Sequence, residues 1–295
     1  MAEPRTGHAL DLKAAFILTV VCLIWGLNAA AIKYSNTGIA PVFCAGLRSV
    51  VATACLLIWM TFKRMELFPG RLKDGMIIGF MFGVEFGLLY TAVLYTTVSS
   101  AWILLYTTPF FHALGAHFFL TGDRLTLRKS GGLVISFIGI IILLSKHLGL
   151  PSMRELGGDL LAICAAAIWA ITTIYIKRRL VAVVSPYHSL FYQMLFSIPV
   201  LFLMSFLFKE TPIQNLNGLI LLAFLYQSIL TAFISYLVWF YLVHSYPVSR
   251  LSSFTFLTPI FATIAGVLLL KEPMTLKLIL SLIFVSVGIY IVNRE

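Results

Sequence analysis

Long apolar segments alternate with short polar turns along almost the whole chain of 295 residues. A helix that crosses the roughly 30 Å hydrocarbon core of a membrane needs about 17 to 25 predominantly apolar residues. Ten runs of about that length occur, and no polar stretch between them is long enough for a soluble domain. The pattern therefore predicts an all-α membrane protein with ten transmembrane helices. They are predicted at residues 13–34, 41–62, 74–96, 99–120, 128–146, 156–177, 186–208, 216–243, 249–270 and 275–292.

Two stretches about 150 residues apart repeat one pattern of side chains. Residues 106–111 and 256–261 are both apolar segments with a proline at the fourth position. Each is followed by a short charged turn, and then by another apolar segment with a glycine at the same relative place, Gly139 or Gly288. The chain therefore reads as an internal duplication.

The duplication predicts two repeats of opposite orientation. We place the first repeat at residues 1–147 and the second at residues 148–295, with five predicted helices in each. Because five is an odd number, the second repeat starts on the opposite side of the membrane and is inverted. Inverted repeats are typical of secondary transporters, whose substrate site lies near the bilayer midplane between the halves.

Charge distribution narrows the class of protein further. If the chain begins in the cytoplasm, fourteen of the 21 Lys and Arg residues lie in inner segments and six in outer turns. This bias predicts that both termini are cytoplasmic. The formal net charge is +10, but the basic residues are spread through turns and form no basic face on a folded domain. We therefore expect membrane lipid around the protein and no nucleic-acid partner.

Signatures of an enzyme, a metal site or a cofactor site are absent from the sequence. The four cysteines lie within predicted spans at spacings that match no metal-binding pattern. His112 and His117 are five residues apart and do not share one helix face, so we interpret them as satisfied core histidines. Neither a phosphate-binding loop nor a nucleophile elbow occurs. We therefore expect no cofactor, no metal and no catalysis, and any uphill transport must draw on a gradient.

Arg48 and Glu85 are the charged residues that lie deep in predicted spans. Placing either in a membrane costs about 2.5 to 3.5 kcal/mol on insertion scales, so each needs a partner or water. At 1.5 Å per residue, Arg48 lies roughly 10 Å and Glu85 roughly 16 Å below the outer face, a gap that an arginine side chain can span. The two residues are predicted to form a structural ion pair, or alternatively to bind a substrate or a proton.

Pro109 and Pro259 share a depth near the membrane centre, roughly 15 to 18 Å from a face. Each lacks an amide hydrogen, so the carbonyl one turn earlier, of Leu105 or Thr255, loses its donor. Such a carbonyl is tolerated in a membrane only where protein or a wet cavity satisfies it. Because the prolines recur in both repeats, we predict hinges rather than bends that serve packing alone.

Polar and aromatic side chains repeat on the helices expected to line the centre. A polar stripe on a lipid-buried helix indicates a bundle interior or an aqueous cavity. The aromatic residues could instead form an interfacial belt, but Trp25 and Trp169 lie too deep for that. Packing alone remains an alternative role for each single ring. The predicted substrate-binding residues are Trp25, Asn28, Glu85, Trp102, Tyr106, Trp169, Thr172, Ser235 and Trp239.

Four glycines recur at every fourth position of the third predicted helix. Small residues at this spacing allow close approach of another helix, since association in lipid depends on packing. Glu85 lies about 200° around the helix from Gly83, so it points away from that contact. The glycines are Gly75, Gly79, Gly83 and Gly87.

With these features the chain resembles the ten-helix members of the drug/metabolite transporter superfamily, which contain two EamA-type repeats. The resemblance rests on residues 25–28 of the first helix, on Arg48, and on the paired proline helices with their turns at 123–126 and 272–275. It extends from about residue 14 to residue 293. Within that superfamily the chain is most similar to bacterial exporters of aromatic amino acids.

This resemblance implies a transporter with a small-molecule substrate in a central cavity between the repeats. We expect it in the bacterial inner membrane, with a monomer as one option for its assembly. Phe, Tyr and Trp are the expected cargo, with other small amino acids as further candidates, moved by alternating access. One departure is that the second repeat has Ala170 and Thr172 where the first has Gly26 and Asn28. An exporter of organic cations or other small metabolites is the alternative, and it would depend on Glu85 as an anion. A lipid scramblase or an intramembrane enzyme would need a polar groove or a hydrolytic constellation that the sequence does not suggest.

Overall fold

A computed structural model describes residues 10–96, 98–144, 152–270 and 276–294 of the chain. Within these residues the structure is almost entirely helical, and its one β pairing is an isolated bridge between Ile39 and Ile213. The helices are α1 (Leu12–Ser35), α2 (Pro41–Phe62), α3 (Leu72–Tyr95), α4 (Val98–Leu105), α5 (Thr108–Phe119), α6 (Leu127–Leu144), α7 (Met153–Arg179), α8 (Pro186–Leu207), α9 (Gly218–Leu225), a π-helical segment (Tyr226–Ser235), α10 (Tyr236–Ser245), α11 (Val248–Ser253), a 3₁₀ turn (Phe254–Phe256), α12 (Leu257–Leu270) and α13 (Leu276–Asn293).

These elements confirm the predicted membrane fold. Seven helical stretches of the described chain are long and apolar enough to cross a membrane, and residues 279–293 form a shorter apolar helix. The other two predicted spans are the fourth, which is divided into α4 and α5, and the fifth, which is α6. Many large apolar side chains are exposed, as expected for a surface in contact with lipid; Phe206, for example, is 79% exposed. The turn at 272–275 and the predicted repeat boundary at 147/148 lie outside the described residues.

Helix starts follow from local sequence. Asp11 accepts a hydrogen bond from the Ala14 amide at 2.7 Å and so caps α1. Ser152 and Glu155 form a capping box at the start of α7. The next helix of each repeat, α2 or α8, begins with a proline, whose missing amide hydrogen has no partner to lose at that position. Equivalent spans in the two repeats therefore begin by the same means.

Helix packing follows a pattern that is preserved when the two repeats are exchanged. In this exchange α1 corresponds to α7, α2 to α8, α3 to the α9–α10 stretch, α4–α5 to α11–α12, and α6 to α13. The α1–α12 contact corresponds to the α7–α5 contact, and the α3–α7 contact corresponds to that between the α9–α10 stretch and α1. The α2–α8 and α6–α13 pairs are their own counterparts. This is the arrangement of two inverted five-helix repeats.

The glycine stripe of α3 is a packing seam against α8. A Cβ added at Gly75 would lie 2.6 Å from the Tyr192 ring, and one at Gly83 would lie 2.6 Å from Val200 Cγ1. Both distances are too short for a real contact, so only glycine permits this approach. The four glycine–partner pairs are Gly75–Tyr192, Gly79–Phe196, Gly83–Val200 and Gly87–Met204.

The two glycines that first indicated the duplication lie at the contact between α6 and α13. A Cβ at Gly139 would lie 2.9 Å from Phe284 Cβ on α13, and one at Gly288 would lie 2.8 Å from the Ser136 amide nitrogen on α6. Each repeat therefore contributes the same kind of close approach to the other. This reciprocity is the packing consequence of the duplicated sequence.

Polar contacts join the repeats at both faces of the molecule. We name the face where α1 begins the inner face and the opposite one the outer face. At the inner face Asp123 accepts a hydrogen bond from the Ser249 amide at 2.9 Å, at the start of α11, and pairs with Lys129 at 2.7 Å. At the outer face Glu210 accepts two amide hydrogens at the start of α2, at 3.0 and 2.9 Å. A carboxylate at a helix N-terminus is favoured because it satisfies free amides and the helix dipole.

Candidate functional site

An aromatic cluster lies where α1, α7 and α10 meet. The centroid of the Trp25 ring is 6.0 Å from that of Trp169, 5.9 Å from that of Tyr236 and 5.5 Å from that of Trp239. These separations are within the range of favourable edge-to-face contacts. The structure thus brings together Trp25, Trp169 and Trp239, three of the predicted site residues, and adds Tyr236, which sequence reasoning missed.

A chain of hydrogen bonds fixes the Trp25 ring. Its Nε1 donates to Ser235 Oγ at 2.8 Å, and the Ser235 hydroxyl donates to the Thr231 carbonyl at 2.6 Å. The Thr231 hydroxyl in turn donates to Asn28 Oδ1 at 3.2 Å, one turn along α1 from Trp25. Asn28 and Ser235 therefore hold the ring and the helix contact in place, and both are buried.

Three polar residues of the predicted eighth span, Ser228, Thr231 and Ser235, lie on a π-helical segment rather than on an α-helix. This segment runs from Tyr226 to Ser235, and its wider turn changes the direction in which successive side chains point. The Tyr226 hydroxyl donates to the Ile24 carbonyl at 3.0 Å, and Gln227 Nε2 donates to Ser35 Oγ at 2.6 Å. π-helical turns occur often at functional sites. The hydropathy pattern carries no signal that distinguishes this turn from an α-helical one.

Three predicted residues lie beside the cluster rather than within it. The Trp102 and Tyr106 rings are 6.3 Å apart at the end of α4, and Trp102 packs with Trp169 against a small apolar cluster that includes Leu105. The Thr172 hydroxyl donates to the Ile168 carbonyl of its own helix at 2.8 Å. Thr172 is therefore not equivalent in contacts to Asn28, the residue that it replaces in the second repeat.

Arg48 and Glu85 are both buried, with side chains that are not paired with each other. Arg48 Nε and Nη2 and Glu85 Oε2 have no hydrogen-bond partner, and the predicted ion pair is absent from the described part of the chain. The reason is that the guanidinium instead packs over rings, with Cζ 4.4 Å from the Phe86 centroid and 5.9 Å from that of Tyr236. Tyr236 also contacts Trp25, so the Arg48 guanidinium adjoins the aromatic cluster.

Both proline-bearing spans are interrupted close to the proline. The first divides into α4 and α5 two residues before Pro109, and the second passes through a 3₁₀ turn that ends three residues before Pro259. The Leu105 carbonyl, which Pro109 leaves without an amide donor, accepts the Thr108 hydroxyl at 2.5 Å. These breaks supply the local geometry that a hinge needs.

Gly26 of the Trp25–Asn28 motif has a packing role. A Cβ at this position would lie 2.7 Å from Phe261 Cβ and 2.9 Å from both the Ala262 nitrogen and the Thr258 carbonyl oxygen. Helix α1 therefore crosses α12 with backbone against backbone next to Trp25. This crossing fixes the height at which the Trp25 ring enters the cluster.

The interpretation of His117 as a core histidine is wrong, because its side chain is exposed and its Nδ1 accepts a hydrogen bond from the Leu125 amide at 3.3 Å. His112 does lie in the core as predicted, but its hydrogen-bonding capacity is not satisfied there. The side chain is completely buried on α5, but neither ring nitrogen has a hydrogen-bond partner. Its ring centroid lies 6.0 Å from that of Trp169, with the planes 77° apart. Sequence spacing gave no indication of this, because the missing partners depend on which helices surround α5.

A cavity of about 390 Å³ lies away from the aromatic cluster, near the inner end of α11–α13. Its walls are mostly apolar and end at Asn293 and Arg294. The predicted midplane cavity therefore does not coincide with this one. At the midplane the Trp25 ring is in contact with the other three rings of the cluster. The lining residues are Phe254, Leu257, Ser286, Ile289, Tyr290, Asn293 and Arg294.

Comparison with known proteins places this architecture in a family. A family model described as the EamA-like transporter family matches residues 12–145 and again residues 156–294. A protein named "Uncharacterized transporter YoaV" from Bacillus subtilis (strain 168) is 24% identical over 92% of this chain and 93% of its own length. A solved crystal structure superposes with a TM-score of 0.81 over 96% of both chains at 18% identity, which shows the likeness of fold.

Two relatives are named "Probable amino-acid metabolite efflux pump". The protein from Salmonella typhimurium (strain LT2) is 26% identical, and the one from Escherichia coli (strain K12) is 23% identical. Each match covers 95% of this chain and 94% of the relative. Because the family model matches both repeats, the chain is a multi-pass membrane transporter of small molecules and belongs to the EamA-like transporter family.

Proposed function

We propose that the protein exports aromatic amino acids by alternating access around the cluster of Trp25, Trp169, Tyr236 and Trp239. The observation that carries this proposal is that Arg48 and Glu85, two buried side chains of opposite charge, have atoms without hydrogen-bond partners, and that the Arg48 guanidinium lies over an aromatic ring that contacts Trp25. An amino acid has the complementary groups, namely a carboxylate, an ammonium and, for Phe, Tyr and Trp, a planar ring. Its binding would satisfy groups that the empty protein leaves without partners.

The two charges argue for a zwitterion. Burying a charged side chain without a partner is costly, and a ligand that supplies the missing partner recovers part of that cost. A carboxylate suits the guanidinium of Arg48, which binds planar anions through two parallel hydrogen bonds. An ammonium suits Glu85 Oε2. Phosphorylated substrates fit poorly, since a phosphate site normally presents several cations.

The rings argue for an aromatic side chain. Edge-to-face and offset contacts contribute about 0.5 to 1.5 kcal/mol per pair beyond the area they bury. Trp25 already contacts Trp169 and Trp239 at such distances, so a substrate ring could replace one contact by another at small cost. The names of the two efflux pumps of amino-acid metabolites support the same substrate class.

Alternating access would use the breaks near Pro109 and Pro259 as hinges. Both lie in repeat-equivalent spans that contact the helices bearing the tryptophans, because α12 packs on α1 and α5 packs on α7. The Asp123–Ser249 hydrogen bonds tie the inner ends of these two spans together. We infer that this contact breaks when the inner side opens. The sequence contains no phosphate-binding loop, so a gradient would drive export.

Transport by purified protein in liposomes tests the proposal. We expect counterflow of labelled phenylalanine and tryptophan, competed by either amino acid. Phenethylamine and phenylpropionate each lack one charge, so each should compete at least about tenfold less well. Folded protein that gives no aromatic amino-acid flux would contradict the proposal.

Charge variants distinguish this function from its main alternative. Glu85 Oε2, an unpartnered anionic oxygen, would also suit the substrate of an organic-cation exporter. Such an exporter needs Glu85 but does not need Arg48. Under our proposal, Arg48→Gln lowers phenylalanine flux at least about tenfold, and Glu85→Gln does the same. If Arg48→Gln spares transport of phenethylamine and phenylalanine is not a substrate, the cation exporter is correct. Lys33→Gln, outside the buried site, is the matched loss of positive charge.

We also propose a location and an assembly state. The charge bias of the turns supports a chain with both termini in the cytoplasm, and the bacterial relatives support the inner membrane of a bacterial cell. The two repeats together supply every residue of the proposed site, so a monomer suffices. Cysteine labelling of each terminus in intact and permeabilised cells tests the orientation.

A further inference from the structure

His112 is a buried polar group that the proposed transport cycle leaves without a role. Its side chain is completely buried, and both Nδ1 and Nε2 lack a hydrogen-bond partner. The nearest ring that contacts it is Trp169, at 6.0 Å between centroids and almost perpendicular. An edge directed at an aromatic face forms at most a weak hydrogen bond. The imidazole therefore has hydrogen-bonding capacity that a ligand can use.

We propose that His112 hydrogen-bonds to the polar atom of the substrate ring, so that tryptophan and tyrosine are preferred to phenylalanine. This inference rests on the proposed function and names its substrate more closely. The indole N–H or the phenol O–H donates to one imidazole nitrogen. Phenylalanine has no such group and leaves the imidazole as it is in the empty protein.

Depth along the membrane normal agrees with this role. Counted at 1.5 Å per residue, Arg48 lies about 10 Å from the outer face, and His112 lies about 10 Å from the inner face. The Trp25 and Trp169 rings lie between them, near the centre. From outer to inner side the order is therefore the Arg48 guanidinium, then Glu85 and the aromatic rings at about the same depth, then the imidazole. An aromatic amino acid such as tryptophan carries the same order of groups from its backbone end to its ring nitrogen.

The second repeat shows that the scaffold does not require a polar residue at this place. The repeat-equivalent of His112 is Ala262, whose backbone nitrogen forms part of the close crossing with Gly26. In the first repeat the corresponding crossing of α5 and α7 accommodates an imidazole beside Trp169. Packing is thus achieved with a methyl group in one copy, while the other copy contains a buried ring without hydrogen-bond partners. Leaving such a group unsatisfied is costly, which favours a functional reason for it.

The test compares matched pairs of substrates in counterflow. Tryptophan is paired with benzothienylalanine, in which sulfur replaces the indole N–H, and tyrosine is paired with phenylalanine. In the wild-type protein we expect the hydrogen-bonding member of each pair to be preferred about fivefold or more. In His112→Phe, which keeps a ring and removes both nitrogens, the preference should fall to about one while phenylalanine flux is retained. His117→Phe is the control, because His117 is an exposed histidine on the same helix.

The outcomes separate this inference from the proposed function. Wild-type protein that moves tryptophan and benzothienylalanine equally well would overturn the role of His112 and leave the function intact. A preference that survives in His112→Phe would also overturn it. Failure to move any aromatic amino acid would overturn both. If His112→Phe does not fold, the melting temperature of the wild-type protein is measured with each member of a substrate pair. The hydrogen-bonding member must then raise the melting temperature more than its partner does, because the tighter ligand stabilises the folded protein more.

Discussion

At the scale of a single residue, Trp25 combines the ring contacts of the proposed site with a hydrogen bond between the two repeats. Its ring contacts three other aromatic side chains, and its Nε1 donates to Ser235 in the other repeat. The hydrogen bond fixes the rotation of the indole and occupies its polar edge. A phenylalanine would retain a ring but lose this orientation.

The Trp25–Ser235 hydrogen bond should be measurable as a coupling energy. Interhelical side-chain hydrogen bonds in a membrane protein couple by about 0.6 kcal/mol on average and up to about 1.7 kcal/mol. We expect a coupling in that range from a cycle of Trp25→Phe, Ser235→Ala and the double variant, measured by unfolding in detergent. Ser228→Ala is the matched control, because the Ser228 hydroxyl bonds to the Phe224 carbonyl of its own helix at 2.8 Å. Equal coupling for both serines would contradict the assigned contact.

Residue identity alone could not settle the contacts of the buried charges. The positions of Arg48 and Glu85 in apolar spans correctly indicated that both are buried, and their depths suggested a pair. The pair does not form because Phe86 and Tyr236 present ring faces to the guanidinium. Which rings surround a charge depends on helices distant in sequence, so no local pattern could predict it.

At the scale of the element, the α3–α8 seam explains why one helix carries glycine at every fourth position. A Cβ at Gly79 would lie 2.9 Å from both Cα and the carbonyl carbon of Phe196. These are backbone atoms of α8, which cannot rotate away as a side chain can. The two helices would therefore have to separate along the seam.

Gly79→Ala should therefore destabilise the protein. Overpacking of this kind costs about 1 to 3 kcal/mol, and we expect a corresponding fall in the free energy of unfolding. Gly131→Ala is the control, since Gly131 is also within a helix, α6, and a Cβ there would meet no atom within 4 Å. That change should be neutral or stabilising by up to about 1 kcal/mol, because alanine favours the helix. Equal losses at both sites would indicate that propensity rather than packing matters.

Elements differ in how much of them the sequence could predict. The apolar runs located the spans to within a few residues, because membrane crossing imposes a length and a composition. The breaks near Pro109 and Pro259 were also foreseeable from the missing amide hydrogens. The π-helical segment was not, because Ser228, Thr231 and Ser235 are compatible with an α-helical stripe as well. Only the backbone hydrogen-bonding pattern of the folded segment distinguishes the two.

The whole molecule combines a symmetric frame with asymmetric chemistry. Exchange of the repeats preserves the helix contacts, and the glycines at positions 139 and 288 make reciprocal contacts. Arg48, Glu85 and His112, the buried groups without hydrogen-bond partners on which the proposals rest, are all in the first repeat. Duplication was readable from sequence because packing constrains both copies alike. The chemistry was less readable because it belongs to one copy only.

A disulfide clamp between the inner ends of the two proline-bearing spans tests the motion of the whole molecule. Asp123 and Ser249 are joined by hydrogen bonds from both the amide and the hydroxyl of Ser249, so cysteines at these positions would lie close enough to cross-link. With the four native cysteines replaced by alanine, we expect oxidation of Asp123→Cys/Ser249→Cys to stop counterflow and reduction to restore it. The reason is that export requires this contact to open.

The control for the clamp lies between α2 and α8, where the Ser197 hydroxyl donates to Ser49 Oγ at 3.0 Å. If the proline-bearing spans bend while the α2–α8 pair stays fixed, oxidation of Ser49→Cys/Ser197→Cys should leave at least about half of the flux. If whole repeats rock against each other, this central cross-link should stop transport as the inner clamp does. Continued flux with the inner clamp closed would mean that the Asp123–Ser249 contact stays intact throughout transport. The hinge mechanism would then be wrong, even if the substrate site is where we place it.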